Sequence, residues 1–211
     1  MGSPPANCGD VKITAIAHGL DLSQSFDQEA RPKRVHMSDL YNSYYAKLNP
    51  KKYGKTGEPP VELWTCGYLL EEGLIRRVVH THGDTGSGRP APMQTNNGVW
   101  FSPDLLMFNG TTRLGEIKLT FMVPGGLNFP WKPGSTYDSL GPKAEKYMTQ
   151  MKLGCRALGI RDATLFAFFV PEAIKAQGRA LRCWEIAFTQ WELDEEWDLI
   201  MRHAQREGLL L

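Results

Sequence analysis

The sequence predicts an α/β chain in which a mixed central sheet is flanked by helices. Apolar residues recur at helical spacing over 40–48, 61–77, 143–158 and 191–206. Alternating or continuously apolar runs that read as strands occupy 99–108, 112–122, 163–170 and 181–188. The order of the core elements is helix, strand hairpin, helix, strand, strand and helix. That interleaving is the pattern of a sheet covered by helices.

Each element has a local reason. Residues 1–35 are mixed and turn-rich and read as an N-terminal extension. Ser38 is placed to cap a helix whose Leu40, Tyr41, Tyr44, Tyr45 and Leu48 share one face. A Lys-, Pro- and Gly-containing loop then ends at Pro59-Pro60, and Pro60 suits the first turn of the helix over 61–77. Asn96-Asn97-Gly98 is turn-like, and Asn109-Gly110 reads as the hairpin turn joining the next two strands. The Gly-, Pro- and aromatic-rich stretch 123–142 is long for a connector and reads as a lid or substrate-gripping loop. Gly159 closes the helix over 143–158. The apolar run 163–170 reads as a buried strand, and 191–206 as an acidic amphipathic helix. No repeat or low-complexity tract interrupts the pattern. The expectation is one domain over 1–211, with a core over 38–170 and a C-terminal strand and helix in 171–211.

Composition narrows the class. With 211 residues, 42% hydrophobic and 22% charged, the chain can bury a sizeable core. Cys8, Cys66, Cys155 and Cys183 include no C-x-x-C pair. A zinc ribbon and a disulfide framework are therefore not expected, and a reduced, cytoplasmic setting is. No apolar run reaches the ~18 residues of a membrane span, and the N-terminus has no apolar signal region.

The chemistry concentrates in Pro103-Asp104 and in Gly115-Glu116-Ile117-Lys118-Leu119. Alternation along a strand puts Glu116 and Lys118 on one face and turns Ile117 to the other, toward the core. The hairpin brings Asp104 toward the pair. Two carboxylates can hold hard divalent cations through oxygen. Such a cation activates water and offsets charge developing on a phosphoryl group. A lysine beside it can orient the water or stabilise the added negative charge. An isolated E-x-K on a strand is usually a solvated ion pair. Here Leu114, Ile117, Leu119 and Phe121 surround it, which reads as sheet core. On the helix over 61–77, Glu71 has Gly67, Tyr68, Leu74 and Ile75 as its neighbours one turn away. A carboxylate on that apolar stripe is costly unless it meets a cation, which favours Glu71 over Glu72 and Glu62. Gly67 within a helix points to a close approach.

Pro103-Asp104 followed by Glu116-x-Lys118 resembles the PD-(D/E)xK nuclease superfamily, with its restriction-endonuclease-like fold. Gly67-x-x-x-Glu71 upstream, and Gln150 on the helix that precedes an apolar strand, resemble its RecB-like and phage lambda-exonuclease-like branch. The resemblance covers roughly 38–170. It implies Mg2+ or Mn2+ held by Glu71, Asp104 and Glu116, with the backbone carbonyl of Ile117 as a further ligand. It implies catalytic roles for Lys118 and Gln150, and DNA as the substrate. The branch favours an exonuclease acting on DNA ends in phage-type recombination or repair, alongside a recombinase or annealing protein and with homo-oligomers among its members. A structure-selective endonuclease and a non-catalytic DNA-binding module on the same fold are the alternatives.

Two further features bear on function. Arg31, Lys33, Arg34, Lys51, Lys52 and Lys55 form a basic segment suited to tracking DNA phosphates. The interleaved Tyr41, Tyr44, Tyr45 and Tyr53 read individually as half-buried packing residues. His80-x-His82-x-Asp84 suggests a zinc hydrolase as a remote alternative. Thr85 stands where that motif expects another histidine, and only His203 follows downstream. His80 and His82 are therefore expected at a strand end or in a loop.

Overall fold

The computed structural model describes residues 34–53, 61–82, 88–120, 142–171 and 181–210. Helix α1 spans Met37–Leu48, α2 Pro50–Tyr53 and α3 Val61–His82. A small antiparallel pair, β1 (Met93–Gln94) and β2 (Trp100–Phe101), precedes β3 (Leu105–Asn109) and β4 (Thr111–Thr120). Helix α4 (Pro142–Leu158), β5 (Asp162–Phe169), β6 (Leu181–Ala187) and α5 (Gln190–Arg206) complete the order.

The four-stranded sheet runs β3-β4-β5-β6. β4 and β5 are parallel, and both outer pairings are antiparallel. A parallel pair needs a long crossover, and α4 lies in it. The expected mixed sheet with flanking helices is therefore present. Gly110 turns the β3–β4 hairpin with φ 74°. Gly159 ends α4 with φ 67°.

The pleat sorts β4 between two cores. Leu114 joins Leu40, Tyr41, Met151, Leu165, Phe169 and Ile200 in the larger core, beneath α1, α4 and α5. Ile117 joins Leu105 and Ile75 in the smaller core, beneath α3. Gly154 lets α4 settle onto the sheet. A Cβ there would lie 2.7 Å from the Phe101 ring and 2.8 Å from Leu114.

A buried polar chain ties α1, α4 and α5 together. The Thr149 hydroxyl donates to Glu196 Oε1 at 2.6 Å, so the Tyr45 hydroxyl, 2.8 Å away, donates to Thr149. Helix α5 starts with a capping box. Thr189 Oγ1 accepts from the Glu192 N–H, and Glu192 accepts from the Thr189 N–H.

Several expectations need correction. The α1 cap is His36, not Ser38, and Asp39 accepts from the His36 N–H at 3.1 Å. Helix α3 continues past residue 77 to His82, so His80 and His82 are helical rather than at a strand end or in a loop. Positions two apart on a helix do not face each other, which removes the geometric basis of the zinc reading; Asp84 lies outside the described residues. Gly67 is not a contact point: among the described residues nothing lies within 4 Å of a Cβ built there. The proposed lid over 123–142 falls, all but its last residue, outside the described residues, as does the extension over 1–35, all but its last two.

Candidate active site

Asp104 immediately precedes β3. Continuing the Leu105↔Gly115 register by one residue sets it opposite Glu116. Its Oδ2 accepts the Ile117 N–H at 2.9 Å, which fixes the carboxylate against β4. Glu116 and Lys118 share the face of β4 that carries Leu114, and both lie among apolar neighbours from β5: Leu165 is paired with Glu116 and Ala167 with Lys118. The Glu116 side chain is 1% exposed. Its Oε1 meets the Lys118 ammonium in an ion pair but lacks a partner in hydrogen-bond geometry.

Helices α1 and α4 roof this face. Tyr147, Gln150, Met151 and Gly154 follow helical spacing on one side of α4. The Lys118 ammonium lies 5.4 Å from the centre of the Tyr147 ring. The Tyr41 hydroxyl donates to Gln150 Oε1 at 3.2 Å. Burial pushes the Tyr41 phenol up to about 12; Lys118 opposes that shift, and Glu116 and Asp104 add to it.

The electrostatics follow from one cation facing two carboxylates. Burial, then the Asp104 charge, raises the Glu116 carboxyl well above the ordinary carboxylate range, against the opposing pull of Lys118. Glu116 is also in hydrogen-bond contact with the Asp104 carboxyl, which adds to the rise. Burial by itself would lower the Lys118 pKa, but Glu116 and Asp104 outweigh it and raise it, so Lys118 stays protonated. Glu116 therefore favours its neutral form beside a charged Lys118. Ionising Glu116 requires more positive charge at the same place.

Glu71 approaches from α3. Burial, then Asp104, raises its carboxyl to about 7, while Arg89 and Lys118 pull it down. Arg89 Nη2 lies 2.6 Å from Glu71 Oε1 and 2.9 Å from Glu72 Oε1. Among the described residues, no three His, Cys, Asp or Glu side chains are arranged to hold a metal ion as they stand. The unbonded, buried Glu116 oxygen and the excess of carboxylate over cation nevertheless fit a hard divalent ion.

The structure thus brings together Asp104, Glu116 and Lys118, with Gln150 reaching them through Tyr41. Ile117 contributes its N–H to Asp104 and buries its side chain in the smaller core. Of the basic segment, the Arg34 guanidinium stacks 4.1 Å from the Trp100 ring and Lys51 is exposed. Arg31, Lys33, Lys55 and the side chain of Lys52 lie outside the described residues. Tyr41, Tyr45 and Tyr53 are buried and have no face open to a stacked base. The sequence reading missed Tyr41 and Tyr147 as site residues, although both stand at helical spacing on faces turned to the sheet. It missed Arg89 because no periodic pattern surrounds that residue.

Neither protein-family models nor curated proteins match the sequence. Solved structures are similar to this chain in fold. One is LHK-Exo in complex with dAMP, with a TM-score of 0.51 and 18% identity, over 84% of this chain and 89% of that one. The two chains are similar in fold. A second structure of LHK-Exo, an alkaline exonuclease from Laribacter hongkongensis, gives 0.49 and 16% identity, over 84% of this chain and 89% of that one. SSO0001 gives 0.47 and 11%, over 86% of this chain and 81% of that one. Glu116 and Lys118 stand on β4, inside the four-stranded sheet, and Asp104 immediately precedes the outer strand β3. Among the described residues no helix is long and apolar enough to cross a membrane.

Proposed function

We propose that this chain is a DNA nuclease dependent on Mg2+ or Mn2+ that hydrolyses phosphodiester bonds, acting from DNA ends. The observation that carries the reading is the buried Glu116 carboxyl, set against Asp104 and Lys118 with one oxygen lacking a hydrogen bond. A purely structural role explains it poorly, because a buried charged cluster is weak evidence of stabilisation and an apolar replacement often does as well. That weighs against a non-catalytic DNA-binding module. The similar fold of LHK-Exo, solved with a deoxynucleotide monophosphate, supports DNA as the substrate and release of mononucleotides as the outcome.

In this reading Asp104 and Glu116 hold the cation, Glu71 joins them, and the Ile117 carbonyl is a further ligand. A divalent cation there would polarise the phosphoryl group and supply an activated water. Lys118, kept charged, donates to the phosphoryl oxygens as negative charge develops and so acts as a stabiliser rather than a base. The Tyr41–Gln150 hydrogen bond orients the amide over the same face. The basic residues of 31–55 hold the DNA backbone. A recombinase or annealing partner and a homo-oligomer belong to the same proposal.

Incubation with linear and closed circular DNA, with Mg2+, Mn2+ or EDTA, tests it. Cation-dependent loss of linear DNA alone, with mononucleotides released, is expected. Loss of both forms would shift the reading to the endonuclease. No cleavage with either cation would remove the nuclease reading altogether.

A further inference from the structure

The cluster around Arg89 does more than pair surface charges. Its backbone is rooted on the sheet, because Gly88 and Leu106 exchange N–H to carbonyl bonds of 3.0 and 2.9 Å at the outer edge of β3. From that root the guanidinium reaches back to α3. There it passes 5.7 Å from the Tyr68 ring and contacts Glu71 and Glu72 through one nitrogen. Consecutive helical residues point in different directions, so a single group that bridges both sits between two separate sites. Glu71 faces Asp104 and Lys118 closely enough for their charges to act on it. Glu72 is the more exposed of the two, at 32% against 21%.

We propose that Arg89 competes with the divalent cation for Glu71, occupying that carboxylate in the cation-free protein and retreating onto Glu72 when the ion enters. The proposal rests on the cation-binding reading of the site. The exchange is cheap because the guanidinium never loses a carboxylate partner: it gives up one ion pair and keeps the other. Glu72 is therefore the parking position of Arg89 and not a ligand of the ion. Once displaced, Arg89 stays beside the acidic cluster with donors free, where a substrate phosphate can meet it.

Mn2+ binding to the full chain, read from the loss of the free-ion electron paramagnetic resonance signal, tests this without any turnover. The set is wild type, Arg89→Gln, Glu72→Gln, the double variant and Asp104→Asn, each checked for cooperative thermal unfolding. Arg89→Gln is expected to bind Mn2+ about three- to fivefold more tightly, the scale of a half-exposed ion pair. Glu72→Gln is expected to weaken binding, because Arg89 then stays on Glu71. The double variant is expected to match Arg89→Gln. Arg89→Lys, which keeps the charge without the fork, should fall between wild type and Arg89→Gln and serves if the glutamine variant folds poorly. If Arg89→Gln binds no better than wild type while Asp104→Asn abolishes binding, the competition is overturned and the cation site stands. If the double variant loses binding, Glu72 is a ligand and its assignment as a parking position is wrong. If none of the proteins binds Mn2+, the cation reading falls and this inference with it.

Discussion

Glu116 is buried opposite Asp104, with the Lys118 ammonium against its unbonded oxygen and the Tyr147 ring close to that ammonium. Replacing Lys118 with methionine removes the charge and keeps the bulk. Glu116 already favours its neutral form, so the variant should fold. DNA hydrolysis should fall roughly 10²- to 10³-fold, the scale of losing one preorganised transition-state donor. Initial rates alongside thermal melts check this, and an unchanged rate would remove Lys118 from the chemistry. The raised carboxyls also set a pH dependence. Glu71 at about 7 and Glu116, also raised, bind protons more tightly folded than at the unfolded value of 4.5. Their contribution to stability is complete below about 4.5 and is lost as pH rises through about 7 and above. The melting temperature of the cation-free protein should therefore fall between pH 5 and 8.5. Mg2+ or Mn2+ should restore it most at the alkaline end, and Glu116→Gln should flatten the profile. A cation-free melting temperature that rises over this range would contradict the charge assignment. Strand alternation alone made the Glu116–Lys118 face legible in the sequence. It gave no sign of the raised Glu116 carboxyl, which depends on how the hairpin register and the α4 roof exclude water.

At the scale of elements, two glycines separate what the sequence could and could not reveal. Gly67 lies on a helix otherwise favourable at those positions, and a close contact was the natural expectation. The space around it is open among the described residues. Gly67→Ala should accordingly stabilise the protein by about 0.5–1 kcal/mol, the helix-interior preference of alanine over glycine. Gly154 attracted no notice because one glycine in an amphipathic helix looks like a tolerated defect. It is where α4 presses onto Phe101 and Leu114. Gly154→Ala should destabilise by about 1–3 kcal/mol through overpacking and lower activity by lifting Tyr147 off Lys118. Chemical denaturation of both variants provides the comparison, and equal effects of the same sign would refute the packing account. The extent of α3 was misjudged for a related reason. His80 and His82 read as a strand end or loop, yet the helix runs through them. β1, β2 and α2 are too short to leave a periodic signal.

Across the whole molecule, the element order and the mixed sheet were readable because each long element carries its own period. How the sheet divides two cores was not, because that depends on partners distant in sequence. α3 covers the Ile117 face, whereas α1 and α4, backed by α5, cover the Glu116 face. The site is consequently assembled from β3, β4, α1, α3 and α4, with no single motif containing it. Its tyrosine roof comes from two helices, Tyr41 on α1 and Tyr147 on α4, whose meeting over β4 no local pattern announces. The most direct measurement is the rate of hydrolysis of an end-labelled DNA duplex in Mn2+ by wild type and by Asp104→Asn and Glu116→Gln, each shown to be folded. Cation-dependent hydrolysis by wild type, lost in both variants, is the predicted result. Hydrolysis that persists at the wild-type rate in either folded variant would contradict the assignment of the acidic pair as the catalytic centre.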